Sequence, residues 1–156
     1  MKTKTYTTID RHDWPNGEWD TEPDKMQWPD EDTGLPCLAV RHPRMGHWCG
    51  YVGVLPEHPM YEHAYSCDEL EAIRVHGGLT FAEKCRSGVE ASSICHVPAA
   101  GEPDHVWWFG FDCGHCDDIS PLAPWGIDRQ YRTLSYVRNE CKELASQLEE
   151  MRTLSK

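Results

Sequence analysis

The chain has 156 residues, with 26 acidic against 15 basic side chains and a formal net charge of −11. That length suits one domain with a core that needs no staples, and that charge excludes broad electrostatic binding to nucleic acid or to an anionic membrane. It leaves open an acidic surface that imitates nucleic acid or inhibits a protein partner.

Met1 to Asp10 hold no apolar signal-peptide core, and no run reaches the length of a transmembrane helix. The expectation is a cytoplasmic protein whose eight Cys stay reduced. Residues 1–34 carry nine acidic against four basic side chains and hold Trp14, Trp19 and Trp28 without sustained periodicity. They are expected as an irregular arm, pinned by its indoles to a single domain over residues 35–156. The rival expectation is an acidic-aromatic segment that engages a partner.

Residues 37–42 and 47–55 read as strands about the turn signal Pro43-Arg44-Met45-Gly46, which predicts a β-hairpin. Gly50 and Gly53 mark a bulge or a close backbone crossing. A loop through Pro56, His58 and Pro59 follows, then a short helix over 67–74. His76-Gly77-Gly78 predicts a tight turn with positive φ, from which Leu79 and Phe81 enter a third strand on one core face. Residues 86–103 read as a loop holding Cys95 and His96.

The stretch from Asp104 to Asp118 is expected to dominate the sheet. Alternation puts Trp107, Phe109, Phe111 and Cys113 on a core face, and Val106, Trp108, Gly110 and Asp112 on the other. Gly110 there leaves space for a ligand or another backbone. Pro121 and Pro124 exclude helix from the return loop. Leu134, Val137, Cys141, Leu144, Leu148 and Met151 recur at helical spacing, giving an amphipathic helix of about six turns. Its stripe packs on the sheet or, as a heptad seam, forms a homodimer. The order of elements predicts an α+β fold, a small mainly antiparallel sheet packed against one long C-terminal helix.

Two groups of residues carry chemistry. Cys113-Gly114-His115-Cys116 matches the active-site tetrad of the protein disulfide isomerases, but Asp117 and Asp118 would raise a thiol pKa and Pro121 blocks the helix that chemistry needs. The same Cys113, His115 and Cys116 supply soft ligands for zinc, with the remainder drawn from Cys67, His76, Cys85, Cys95 and His96. Against this stands a buried Cys113 with an incidental Cys116. The second group is His76, Asp112 and His115, which suit a metal-dependent hydrolase or acid–base work. The plain alternative is a hydrogen bond between His76 and Asp112 that fixes strand register. Asp117 and Asp118 read as solvated or capping groups. Of the indoles, Trp107 is expected in the core and Trp108 against a ligand.

Gly50-Tyr51-Val52-Gly53-Val54, His58-Pro59, Val75-His76-Gly77-Gly78-Leu79-Thr80-Phe81, Trp107 to Cys113 with His115 and Asp118, and Tyr136-Val137 with Glu140-Cys141 together resemble a family of small bacteriophage and prophage proteins. The resemblance spans roughly residues 47–148 and implies a phage origin without supplying an activity. The family's usual string after Asp-Cys resembles Ala-His-Ala, where this chain has Gly114 and Cys116. The expectation that joins these readings is a phage accessory protein in the host cytoplasm, with counter-defence as one role. Its ligand-binding residues would be His76, Gly77, Gly78, Thr80, Trp108, Asp112 and His115. Its partner would be a small polar ligand or a host protein.

Overall fold

The computed structural model describes residues 1–86 and 88–155. The described residues form strands β1 (Lys4–Tyr6), β2 (Lys25–Pro29), β3 (Pro36–Arg41), β4 (Trp48–Val54), β5 (Phe81–Lys84), β6 (Trp107–Asp112), β7 (Asp118–Ile119) and β8 (Gln130–Tyr131). One α-helix, α1 (Leu134–Leu154), ends the chain. The first six strands make one sheet in the order β1-β2-β3-β4-β6-β5, with every neighbouring pair antiparallel. β7 and β8 form a separate two-residue parallel pair. This is the expected α+β arrangement, a sheet packed against one C-terminal helix.

The central hairpin of β3 and β4 forms where apolar runs flank the Pro43-to-Gly46 turn, and Gly46 takes the positive φ of 85° that the turn needs. Period-2 alternation then splits the sheet into two faces. Cys37, Ala39, Val52, Val54, Phe109 and Phe111 face α1 and meet its stripe of Val137, Cys141, Leu144 and Leu148. Because that stripe is buried against its own sheet, it is not an open dimer seam. Thr133 caps α1 by accepting the Tyr136 amide at 3.1 Å. Gly50 is the contact point between the layers. A Cβ there would lie 2.4 Å from the Phe111 ring and 3.0 Å from the Cys141 sulfur, so a close crossing rather than a bulge explains this glycine.

The other face holds Leu38, Val40, Tyr51, Val106 and Trp108. A loop covers it rather than a helix, and polar anchors from β2 hold the loop in place. The buried Lys25 ammonium donates to the carbonyls of Glu90, Ser93 and Cys95, the last two at 2.8 and 2.9 Å. Gln27 accepts the Val97 amide at 2.8 Å and donates to its carbonyl. Burial lowers the Lys25 pKa to about 8, and the nearby Glu90 carboxylate opposes that shift.

Residues 1–34 do not stand apart as an arm, because Lys4–Tyr6 and Lys25–Pro29 are strands of the main sheet. Trp19 and Trp28 are buried within the core and so are unavailable to a partner. The connecting segment supplies the counter-charge for a buried cation. Arg41, whose side chain is wholly enclosed, meets Glu22 at 3.2 Å and Asp24 at 3.3 Å. Glu22 also accepts from the Tyr131 hydroxyl, the Trp48 indole and the Leu134 amide at the start of α1. Residues 67–74 make only a short 3-10 turn over Asp68–Leu70. Among the described residues no helix is long and apolar enough to cross a membrane.

Removing Glu22 takes away one of the two counter-charges of buried Arg41 and leaves the Tyr131 hydroxyl, the Trp48 indole and the Leu134 amide without their acceptor. Breaking into a buried ionic network costs about 3–5 kcal/mol. Glu22→Ala is therefore expected to lower the unfolding free energy by an amount of that order in urea denaturation. A loss of only a few tenths would contradict this placement of the carboxylate.

Candidate functional site

The His76-Gly77-Gly78 turn does reach the end of β6, and both glycines take positive φ, 68° and 81°. A Cβ on Gly77 would lie 2.1 Å from His115 Nε2, so only glycine lets this turn close on the imidazole. The rings of His76 and His115 are 5.9 Å apart between centroids. His115 Nε2 lies 3.6 Å from Asp112, and Thr80 Oγ1 donates to the same carboxylate at 3.3 Å. His76, Gly77, Thr80, Asp112 and His115 thus share one region, and Asp112 and His115 are half-buried at its surface.

His76 does not bond to Asp112, however. Its Nε2 lies 2.9 Å from Asp118 Oδ2, and its Nδ1 lies 2.8 Å from the Tyr136 hydroxyl of α1. Both ring nitrogens are taken by the protein. The backbone N–H of His76 donates to Glu140 of the same helix at 2.8 Å. The residue is a clamp between the glycine turn, β7 and α1. It has no nitrogen left for a substrate or a metal.

Asp118, expected as a solvated or capping group, is the hub of this cluster and only 1% exposed. It accepts from Arg132 Nε at 2.8 Å and from the His115 amide at 3.1 Å. Burial opposes its charge, but the hydrogen bonds from Arg132, His76 and the His115 amide outweigh that and hold its carboxyl below the usual value. No periodic signal points to Asp118, because its partners His76 and Arg132 lie 42 and 14 residues away in the chain.

Trp108 does not line this region. It is fully buried on the far face of the sheet, where its indole N–H donates to the Cys85 sulfur at 3.2 Å. The space beside Gly110 is not open either, since a Cβ there would meet the Tyr51 ring at 2.5 Å. Phe81 also turns to this far face, packing edge-on against Tyr51 at 5.2 Å, while Leu79 stays with the helix side.

The expected metal sets do not assemble. Cys113 is buried under α1, with its thiol pKa pushed up chiefly by burial, whereas Cys116 sits exposed on the following loop. Among the described residues, the His, Cys and carboxylate groups whose ligand atoms cluster are Cys85, Cys95 and His96. Cys85 and Cys95 are joined as a disulfide, contrary to the expectation of reduced thiols throughout. The end of β5 and the returning loop bring their Cα atoms to 4.7 Å, within reach of a bridge.

A cleft of about 620 Å³ opens on the sheet face away from α1. Val40, Tyr51, Phe81 and Ile94 give it an apolar floor, and Thr8, His42, Arg86, Ser92 and Ser93 bring polar groups to it. His42 Nδ1 accepts the Arg44 and Met45 amides at 3.2 and 3.1 Å, which leaves Nε2–H as the ring's donor. Cys49 also lines the cleft, but burial, aided by the Asp112 charge, pushes its thiol up to about 12. It stays protonated at neutral pH and is no nucleophile. The charges of Arg41 and Asp24 at this wall already answer each other. No sequence signal marks this cleft, because residues 88–94 reach it from a stretch with no periodicity.

The fold and sites thus define an α+β protein with a polar clamp on one side of its sheet and a cleft on the other. Compared with protein-family models, curated proteins and solved structures, the chain matches none.

Near the clamp, His47 is buried, with Nδ1 at 3.1 Å from Ser120 Oγ. Burial first, and the neighbouring His42 second, lower its pKa to about 4. The unfolded chain therefore binds a proton that the folded one refuses between an ordinary value of about 6.5 and about 4. Stability is fully present above that window and falls as the pH drops through it, by about 3 kcal/mol for this residue. Asp118 adds a further loss below about pH 4, where its depressed carboxyl is finally protonated. Urea denaturation from pH 7 to 4 should show this slope, and His47→Gln should flatten it. An unchanged slope in that variant would remove His47 as its source.

Proposed function

We propose that this chain is a bacteriophage accessory protein that acts by binding, capturing a small amphipathic molecule in the cleft over Tyr51 and Phe81. The phage origin rests on the motif resemblance between residues 47 and 148. The binding role rests on one observation, a cleft of about 620 Å³ with an apolar floor and polar walls. That size falls within the usual range for small-ligand sites, about 300–1,000 Å³.

The wall chemistry favours capture over turnover. Cys49 is held as a thiol, His42 has one nitrogen committed to backbone amides, and Asp24 accepts the Thr8 and Ile9 amides at 2.7 and 2.8 Å. What is left is shape, an imidazole N–H, hydroxyl groups and the rim guanidinium of Arg86, which Glu83 already pairs. These suit a flat apolar body with a hydrogen-bonding edge. Removal of a host signal molecule, a counter-defence role, joins this chemistry to the phage origin.

Native mass spectrometry of the protein purified from its host tests the reading. The expected result is a bound small molecule that Ala91→Trp, which fills the cleft, excludes with no change in melting temperature. The same molecule should survive Asp112→Ala. Loss of the adduct in Asp112→Ala but not in Ala91→Trp would move the site to the glycine turn and overturn the assignment.

A further inference from the structure

Cys85, Cys95 and His96 lie outside both the clamp and the proposed ligand cleft's floor. One ligand atom from each lies within 4.8 Å of the others. His96 is 9% exposed, and its Nδ1 is buried without any hydrogen-bond partner. A buried imidazole nitrogen left unpaired costs free energy unless something fills the position. Against Cys85, the Trp108 indole N–H donates to the sulfur at 3.2 Å. Such a donor stabilises negative charge on sulfur, as outer hydrogen bonds do around metal thiolates. The ring of His96 is itself set edge-on to Trp108, with centroids 5.5 Å apart.

We propose that the reduced protein binds one thiophilic metal ion, Zn²⁺ or an ion of its class, through Cys85, Cys95 and His96. Two thiolates and one imidazole are soft to borderline donors, which select zinc over magnesium or calcium. Three protein ligands leave the fourth tetrahedral position to water or to an added donor. The disulfide is the oxidised, metal-free form of the same site. A dithiol reductant converts it by transferring two electrons and two protons, so that the S–S bond breaks, two thiols form and the reductant becomes a disulfide. Metal binding then displaces one proton from each thiol to solvent.

The geometry needs little rearrangement. Zinc at about 2.3 Å from sulfur and about 2.0 Å from nitrogen holds its ligands some 3.5 Å apart. Rotation of the two cysteine side chains provides that spacing, with the chain already folded back between β5 and the loop.

The test reduces the protein with dithiothreitol, removes the reductant under nitrogen and titrates with Co²⁺. One equivalent should produce visible d–d bands and a near-ultraviolet sulfur-to-cobalt band, and Zn²⁺ should bleach both. The disulfide form should produce neither. His96→Ala should weaken Co²⁺ binding by more than tenfold, and Trp108→Phe by about tenfold, as for other outer partners of metal ligands. The site is refuted by a reduced protein with no sulfur-to-cobalt band at saturating Co²⁺. It is equally refuted by a band unchanged in the Cys85→Ser and His96→Ala double variant, which would place the ion on the other thiols. Should that variant fail to fold, iodoacetamide labelling of reduced wild-type protein decides. Zn²⁺ should protect Cys85 and Cys95, and full labelling of both in its presence would overturn the assignment.

Discussion

A guanidinium with no contact to solvent has to be answered inside the protein, and in this chain the answer to Arg41 organises everything around it. Its counter-charges come from Glu22 and Asp24, its further acceptors are the carbonyls of Pro23 and Gly46 and the Tyr131 hydroxyl oxygen, and its face lies 4.2 Å from the Trp48 ring. Glu22 then reaches the Leu134 amide, one of the unpaired donors at the start of α1, where the helix dipole favours a negative charge. A single carboxylate therefore joins the N-terminal segment, the central hairpin and the helix. The acidity of residues 1–34 is thus only partly a surface property, because two of those charges neutralise the interior.

What the sequence shows most clearly is what repeats locally. The β3–β4 hairpin, the Trp-rich β6, the division of β6 into two faces and the terminal helix all follow from periods of 2 and 3.6, and all are present. What it hides depends on partners far apart in the chain. Lys4–Tyr6 and Lys25–Pro29 look like parts of an irregular arm because Lys25 and Gln27 are polar, yet both are buried against a loop some seventy residues later. Trp108 and Gly110 suggest an open face, but Tyr51 from β4 fills the gap and a loop closes over it. The proximity of the glycine turn to the β6 end is legible, whereas the choice of Asp118 over Asp112 as the partner of His76 is not.

That choice matters for reading function. Histidine beside glycine pairs and aspartates looks like chemistry, and here it is fixation, because Tyr136 and Asp118 occupy both nitrogens of His76. A chain in which 39% of residues are hydrophobic has limited apolar surface with which to close its loops. Buried polar groups with complete hydrogen bonding do that work instead, and they specify one arrangement where plain apolar contact would tolerate several. The unfilled valence of a buried side chain is therefore more informative than its residue type. By that measure His96 Nδ1 and His115 Nε2 stand out among the imidazoles and His76 does not.

The two faces of the sheet differ in how they are covered, and the cleft follows from the difference. A helix laid on a sheet packs along its whole length and leaves no hollow. Residues 88–97 on the opposite face form no helix or strand, so their path is set by their points of attachment: the Lys25 ammonium, the Gln27 amide and the Cys85–Cys95 bridge. Between these points the chain arches over Tyr51 and Phe81 without filling the space beneath. For the binding role proposed above, a wall already held at these points would not have to be ordered by the ligand, so its contacts would not be offset by the entropy of closing a loop. The bridge that shapes the wall is also the pair of sulfurs placed beside His96.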